Sequence, residues 1–216
     1  MSIRILIVDD FDAIREGVKS FLGVVPDMEV VGQAKDGRIA VQLANELRPD
    51  VIIMDVEMPG LNGIDAARQI IQDMPNIKVI AFSEHLKKHY VREMFKTGAL
   101  GYVSKYGDSQ ELTAAIKAVI SGQTYLSPKI TSLVIEGYVH HSPDNVSPYS
   151  VLTAKEREVL QLIAEGKTVK KIARELNIST KAIEWRRGKI MQKLNIQNVV
   201  ELVKYAIREG VVSAYA

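Results

Sequence analysis

The chain has 216 residues, 47% of them hydrophobic, and a formal net charge of +2, a composition that suits one large soluble domain or two small ones. It contains no cysteine, which excludes disulfides, thiolate metal sites and thiol catalysis and fits a reducing cytoplasmic location. The first residues lack the pattern of a signal peptide, and no apolar run approaches the length of a membrane span, so we expect no membrane partner.

Residues 1–123 predict an alternation of strands and helices. Short apolar runs with the pattern of buried strands cover residues 3–8, 28–32, 51–54, 78–82 and 101–103. Apolar residues at helical spacing predict helices over residues 11–22, 37–47, 64–74, 90–97 and 110–121. Strands that alternate with helices in this way form parallel sheets covered by helices on both faces. We therefore expect a doubly wound α/β domain with a five-stranded parallel sheet.

Residues 124–150 are predicted to form a linker that is partly helical. Ser127-Pro128 favours a helix start, and the helix is expected to run through Tyr138. Residues 140–150 lack periodicity and are rich in Pro, Ser and Asn, which is typical of a linker. The adjacent His140 and His141 are interpreted as solvated loop residues rather than as a metal site.

Residues 151–216 predict a separate, all-helical domain. Helical patterns cover residues 153–165, 168–176, 179–193 and 197–209, and the first of them begins with a capping box at Thr153 and Glu156. From Ser150 onward thirteen basic residues oppose seven acidic ones, a net charge of +6, whereas the preceding part carries −4. Two helices around a tight turn, the second strongly basic, are typical of a helix-turn-helix that meets a polyanion. A plain solvated surface is the alternative interpretation of so modest a charge excess.

Polar side chains stand at four of the predicted strand ends. Asp9 and Asp10 end the first strand, and the third, fourth and fifth strands are followed by Asp55, Ser83 and Lys105. A parallel sheet brings these groups to one edge, where three carboxylates repel one another unless a cation neutralises them. Oxygen ligands without His or Cys favour Mg²⁺, while a lysine and a hydroxyl suit phosphate oxygens. The set predicts a site that places a phosphoryl group on Asp55 as nucleophile, in preference to five unrelated strand caps.

These strings resemble the flavodoxin-like receiver domains of two-component response regulators. The resemblance covers residues 3 to about 122 and rests on Ile7-Val8-Asp9-Asp10, Met54-Asp55-Val56-Glu57-Met58-Pro59-Gly60 with Gly63, Phe82-Ser83, and Gly101-Tyr102-Val103-Ser104-Lys105. It implies that Asp55 is the phosphoacceptor. It also implies a Mg²⁺ site formed by Asp10, Asp55, the backbone carbonyl of Glu57 and, through water, Asp9.

The same resemblance assigns the phosphate-binding and switch residues, which are Ser83, Tyr102 and Lys105. Two positions depart from the family pattern. Phe11 stands where relatives of this subtype usually carry His, and Tyr106 follows Lys105 where many receivers have proline. Neither departure removes a group of the predicted site.

The last part of the chain resembles the LuxR/NarL-type helix-turn-helix. The resemblance spans residues 151 to about 210 and rests on Leu152-Thr153-Ala154-Lys155-Glu156-Arg157-Glu158-Val159-Leu160, Ile163-Ala164-Glu165-Gly166-Lys167, Leu176-Asn177-Ile178-Ser179-Thr180-Lys181 and Ile190-Met191-Gln192-Lys193-Leu194. It implies that the helix over residues 179–193 enters the major groove of DNA. The residues expected to contact DNA are Lys170, Thr180, Lys181, Glu184, Trp185, Arg187, Gly188, Lys189 and Lys193.

Trp185 belongs to a stretch that departs from the family pattern. Relatives usually have Thr-Val-x-x-His-Arg where this chain has Ala182-Ile183-Glu184-Trp185-Arg186-Arg187. A side chain of this size could contact a thymine methyl group or pack on a neighbouring helix. The sequence leaves both alternatives open, so the DNA sequence bound by relatives cannot be carried over.

The sequence as a whole predicts a cytoplasmic response regulator and not an enzyme with a separate substrate. The expected partners are a sensor histidine kinase, double-stranded promoter DNA, RNA polymerase and, when active, a second copy paired through Val199, Leu202, Val203 and Ala206. A constitutive DNA-binding protein with an idle receiver is one alternative. A nucleotide oxidoreductase is disfavoured because no G-x-G-x-x-G follows the first strand. Whether the receiver inhibits the DNA-binding domain or only drives dimerisation stays open.

Overall fold

The computed structural model describes residues 2–139 and 151–212. The chain divides into two compact units, Met1–Ser142 and Pro143–Ala216. No helix of the described residues is both long and apolar enough to cross a membrane. The predicted linker segment 140–150, with His140 and His141, lies outside the described residues.

The first unit is built on a sheet of six strands in the order β2-β1-β3-β4-β5-β6. Every neighbouring pair in the sheet is parallel. The strand order reverses between β1 and β3, and doubly wound sheets place their sites at the carboxyl edge beside such a reversal. The strands are β1 Ile3–Val8, β2 Met28–Ala34, β3 Val51–Met54, β4 Lys78–Ser83, β5 Gly101–Ser104 and β6 Tyr125–Leu126.

The prediction of a five-stranded sheet is wrong by one strand. In β6, Tyr125 and Leu126 pair with Gly101 and Tyr102 of β5, and Ser127 N donates a hydrogen bond of 3.0 Å to the carbonyl of Tyr102. Residues 125–127 therefore extend the sheet, although the sequence placed them in a linker. Two strand residues are too few to produce a recognisable alternation of apolar and polar positions.

Helices cover both faces of this sheet, as predicted, and their ends lie within two residues of the predicted ones. Asp36, Asn62 and Asp108 cap three of them by accepting hydrogen bonds of 2.9 Å from backbone N–H groups. All four residues of β3 are completely buried, and full burial of an aliphatic side chain stabilises the fold by about 1.5–3 kcal/mol. The helices are α1 Asp12–Leu22, α2 Gly37–Leu47, α3 Gly63–Asp73, α4 Lys88–Lys96, α5 Ser109–Ile120 and α6 Pro128–Val139.

Every secondary-structure element of the second unit, among its described residues, is a helix. Thr153 and Glu156 form the predicted capping box at the start of α7. Asn177, with a φ of 53°, makes the turn between α8 and α9, and Ser179 accepts a hydrogen bond of 3.2 Å from Ala182 N at the start of α9. The helices are α7 Ala154–Ala164, α8 Val169–Glu175, α9 Thr180–Leu194 and α10 Val199–Arg208. This arrangement confirms the predicted helix-turn-helix of α8 and α9.

Candidate acidic pocket and nucleic-acid interface

An acidic pocket lies at the carboxyl edge of the sheet, where β1, β3 and β5 end. Asp55 is placed there because its N–H donates a hydrogen bond of 2.8 Å to the carbonyl of Val8. Asp9, Asp10 and Asp55 each offer a carboxylate oxygen, and these atoms lie within 4.8 Å of one another. Asp9 and Asp55 are buried, and Asp10 is half-buried. The structure thus brings the three predicted carboxylates together.

Lys105 supplies the positive charge of this pocket. Its Nζ atom lies 2.6 Å from Asp9 Oδ2 and 2.9 Å from Asp55 Oδ2. Burial raises the pKa of Asp55 to about 6, even though Lys105 acts in the opposite direction. One ammonium group faces three carboxylates, so the pocket carries an excess of negative charge that a bound cation would neutralise.

The donor set of the pocket fits a hard divalent cation. Asp10 Oδ1 is buried and has no hydrogen-bond partner among the described residues. A buried carboxylate oxygen without a partner is costly unless something absent from the protein itself satisfies it. Carboxylate oxygens are the ligands that Mg²⁺ prefers, and a divalent charge would also relieve the repulsion among the three acids.

Gly63 allows the loop after β3 to fold tightly around Asp55. A Cβ atom at this position would lie 1.8 Å from the backbone oxygen of Asp55. No side chain can be accommodated there without moving the backbone that carries the acid. Steric exclusion therefore explains why residue 63 of the motif is glycine.

Ser83 and Tyr102 lie next to the pocket and are joined through the backbone of His85. His85 N donates a hydrogen bond of 3.1 Å to Ser83 Oγ, and Tyr102 Oη donates one of 2.6 Å to the carbonyl of His85. Ser83 and Tyr102 are fully buried. A movement of either hydroxyl group is therefore coupled to the loop that follows β4.

His85 is a residue of this site that the sequence analysis missed. Its Nε2 atom forms an ion pair with Glu57 Oε2, and this hydrogen bond raises the pKa of the imidazole. Glu57 follows β3 by three residues and His85 follows β4 by two, so both lie in loops at the carboxyl edge. The proximity of these two loops in a parallel sheet is a signal that could have suggested the pair.

The two residues that depart from the family pattern point into solvent. Phe11 is 64% exposed, while its backbone N–H donates a hydrogen bond of 3.0 Å to Asp9 Oδ1. Tyr106 is 67% exposed, and its hydroxyl donates one of 2.8 Å to Glu84. Neither side chain occupies the acidic pocket.

In the second unit, helix α9 presents a buried face and an exposed face. Ile183 and Ile190 are completely buried in the core of the unit. The other face carries exposed residues that were predicted to contact DNA, namely Lys181, Glu184, Trp185, Gly188 and Lys189. Trp185 is 64% exposed, and the Nζ atom of Lys189 lies 5.9 Å from the centroid of its ring. The structure therefore favours an indole that faces outward over one that packs on a neighbouring helix.

The remaining predicted DNA contacts differ in their surroundings. Lys170 and Thr180 are exposed, and Arg187 is half-buried. Lys193, by contrast, forms an ion pair of 2.6 Å with Glu156 Oε2, the atom that also accepts a hydrogen bond from Thr153 N. Lys193 is exposed in spite of this pair, so its contact with DNA stays a prediction.

The predicted dimer surface on α10 requires a correction. Leu202 and Ala206 are completely buried in the core of their own unit, so they are not available to a second chain. Val199 is 40% exposed, and Val203 is half-buried. Val200 and Ile207, which belong to the same apolar set of this helix, are exposed as well.

Each unit matches a family of known proteins. Residues 5–117 match the family described as the response regulator receiver domain. Residues 150–206 match the family described as bacterial regulatory proteins, luxR family. The two matches lie in different units of the structure, in the order that the sequence predicted.

Relatives and solved structures match this chain over nearly its full length. The transcriptional regulatory protein LiaR of Bacillus subtilis (strain 168) is 38% identical over 211 residues, which cover 98% of this chain and 100% of that protein. One solved structure is that of RcsB from Salmonella enterica serovar Typhimurium bound to promoter rprA in the presence of the phosphomimetic BeF3−. It is 26% identical to this chain with a TM-score of 0.60, and the match covers 94% of this chain and 98% of that one. A structure of two RcsB dimers bound to two parallel DNAs is 25% identical with a TM-score of 0.61, over 97% of this chain and 99% of that one.

Proposed function

Because the chain belongs to the two-component response regulators with a luxR-type DNA-binding domain, we propose that Asp55 is the residue through which its activity is controlled. The chain is a phosphorylation-controlled, DNA-binding transcriptional regulator and not an enzyme with a separate substrate. One observation carries the assignment of Asp55. Asp55 is buried and ion-paired to Lys105 beside two further acids, and of the three acids it is the one that directly follows β3, with its backbone held against Gly63.

The proposed reaction transfers a phosphoryl group from a histidine of a sensor kinase to Asp55. A carboxylate oxygen attacks the phosphorus, the phosphorus–nitrogen bond breaks, and the histidine nitrogen leaves with the bonding electron pair. Val56 N donates a hydrogen bond of 2.7 Å to Asp55 Oδ1 and Lys105 contacts Oδ2, so both oxygens are oriented before the reaction. Positioning and charge neutralisation provide most of the catalysis in transfers of this kind.

Mg²⁺ is the proposed cofactor of this reaction. Asp10, Asp55 and the backbone carbonyl of Glu57 would hold it, and Asp9 would contact it through water. The partnerless oxygen of Asp10 and the all-oxygen donor set support this assignment. When bound, the ion would neutralise negative charge on the carboxylates and on the incoming phosphate.

Ser83, Tyr102 and Lys105 are the proposed switch residues. A phosphoryl group on Asp55 offers acceptor oxygens to the ammonium of Lys105 and to the hydroxyl of Ser83. If Ser83 turns toward the phosphate, its hydrogen bond with His85 N is lost. The bond from Tyr102 to His85 then changes as well, so the two states differ in specific contacts.

The exposed face of α9 is the proposed DNA-binding surface, supported by Lys170, Thr180, Arg187 and Lys193 around it. Exposed basic residues favour contact with phosphates, and a helix of this kind fits the major groove. Val199, Val200, Val203 and Ile207 form the proposed surface for pairing with a second copy. As a regulator of promoters in the cytoplasm, the protein would also meet RNA polymerase.

The assignment of Asp55 is tested by labelling with a small phosphodonor and Mg²⁺. Asp55→Asn should abolish the label, and Asp73→Asn serves as the matched control because Asp73 is an exposed acid at the end of α3. An undiminished label on the Asp55 variant would contradict the proposal. DNA affinity that is indifferent to the phosphodonor would instead favour a constitutive DNA-binding protein with an idle receiver.

A further inference from the structure

Glu184 stands out on the exposed face of α9 because it is an acid on a surface proposed to meet a polyanion. It is the single acidic residue of α9, whose other charged residues are Lys181, Arg186, Arg187, Lys189 and Lys193. Other acids of the unit are engaged, as in the pairs of Glu156 with Lys193 and of Glu175 with Lys167. Among the described residues, Glu184 has no such ion pair and is exposed.

A carboxylate in this position constrains which DNA the helix can approach. Phosphates repel it, and in the major groove it needs a hydrogen-bond donor on a base edge. Such donors are limited to the amino groups of cytosine and adenine, because guanine offers acceptors and thymine offers an acceptor and a methyl group. Adenine carries an acceptor beside its amino group that would repel the second carboxylate oxygen. Cytosine presents its N4 amino group without that acceptor, so it is the favoured base.

Two neighbours on the same face place Glu184 where a base edge can reach it. Gly188 lies one helical turn further along, and a Cβ atom there would meet nothing within 4 Å. Glycine inside a helix is destabilising relative to alanine. Close packing against the described residues does not explain why residue 188 is glycine, since a Cβ atom there would have free space. A bare backbone at this point lets the helix approach the bases closely, and the exposed Trp185 beside it suits an apolar contact with a thymine methyl.

We propose that Glu184 is a specificity-determining residue that selects a C·G base pair at one position of each half-site, by accepting a hydrogen bond from cytosine N4. The inference rests on the proposed function of α9 as the helix that enters the major groove. The carboxylate of Glu184 acts in two ways. It favours cytosine, and it weakens binding to every sequence that lacks an amino group at that position.

The test is a selection of binding sites from a library of random duplexes, using the full chain treated with a phosphodonor and Mg²⁺. The wild-type protein should enrich sites with a fixed C·G pair. Glu184→Ala should lose preference at that pair alone, by about tenfold, and should bind unselected DNA more tightly at the same salt concentration. Glu184→Gln should shift the preference toward adenine, because an amide matches the adenine edge.

Glu175→Ala is the control, since it also removes a negative charge, but from the neighbouring helix α8, where the carboxylate is paired with Lys167. It should leave the selected site unchanged, and melting curves establish that each variant is folded. Identical sites for wild type and both Glu184 variants, or equal weakening on all sequences, would overturn the inference. A wild-type protein that enriches no sequence at all would overturn the proposed DNA-binding function instead.

Discussion

At the scale of single residues, the backbone behind the acidic pocket leaves no room for a Cβ atom at Gly63. Asp55 is positioned by its backbone as much as by its side chain, because its N–H bonds to Val8 and its carbonyl faces Gly63. The chemistry of the carboxylate therefore depends on a residue that carries no functional group.

Gly63→Ala is expected to impair both folding and labelling. The added Cβ would collide with the Asp55 carbonyl, so the loop must shift, at a cost of about 2 kcal/mol or more because an overpacked core rarely relaxes freely. We expect a lower melting temperature and a weaker phosphodonor label. Gly17→Ala is the control, since a Cβ there meets nothing within 4 Å and alanine is the better helix former. A Gly63 variant as stable as wild type would contradict this account.

At the scale of elements, the end of α9 and the start of α7 are joined by Glu156. This carboxylate accepts hydrogen bonds from the backbone of Thr153 and from Lys193. Burial alone would raise its pKa, but the hydrogen bonds from Lys193 and Thr153 outweigh that effect and lower it. The helix proposed to contact DNA is thus anchored at its C-terminal end.

Glu156→Gln should destabilise the second unit in a pH-dependent way. A lowered pKa means that the stabilisation is present above the ordinary pKa of about 4.3 and is lost as the pH falls through the lower value in the folded protein. Glutamine can still accept the hydrogen bond from Thr153 N, so the change removes the charged contact with Lys193. For a partly exposed pair that loss costs about 1 kcal/mol or less, which lowers the melting temperature of a domain of this size by up to about 4–8 °C. Calorimetry should show that difference at pH 7 and convergence of the two proteins in acid. A difference that persists unchanged at pH 3 would rule out the carboxylate as its cause.

The outer face of α10 should govern pairing of two chains on DNA. Val200 is 65% exposed, and a contiguous patch of exposed apolar residues usually marks a protein–protein contact. Val200→Lys should remove the gain in affinity that the phosphorylated protein shows on two adjacent half-sites over one. Val24→Lys alters an even more exposed valine of the other unit and should behave as wild type. Unchanged cooperativity in the Val200 variant would move the pairing surface elsewhere.

At the scale of the whole molecule, phosphorylation must favour one of two states through contacts that differ between them. Ser83→Ala keeps the acceptor and the ion site but removes a hydroxyl that can contact the phosphate. We expect normal labelling of this variant together with a much smaller increase in DNA affinity than the wild-type gain of about 5–150-fold that typical coupling energies imply. Binding curves with and without phosphodonor measure the difference. A full response in the variant would remove Ser83 from the switch.

The fragment from Ser150 onward distinguishes two routes of control. If the receiver inhibits the DNA-binding domain, the fragment should bind DNA more tightly than the unphosphorylated full chain, and without any response to phosphodonor. If it binds no better, control operates through receiver-driven pairing of two chains. Titration of one DNA site with both proteins decides between these routes.

The sequence predicted the sheet, the helices and the carboxylates of the pocket, because buried strands and the groups at their ends follow one another directly along the chain. It missed His85, whose contact with Glu57 depends on the paths of two loops. It placed Leu202 and Ala206 on the surface, because an amphipathic pattern shows which face is apolar but not which partner covers it. It also missed the ion pair of Lys193 with Glu156, because that pair joins residues far apart in sequence.

The short strand β6 determines where the receiver can be separated from the rest of the chain. A truncation after residue 123 would remove Tyr125 and Leu126 and leave the backbone of β5 beside Tyr102 without its partner. It would also remove Ser127 and Ile130, which are almost completely buried. Unpaired strand edges invite association with other chains, so such a fragment would tend to aggregate. A receiver fragment that ends after α6 keeps β5 paired with β6.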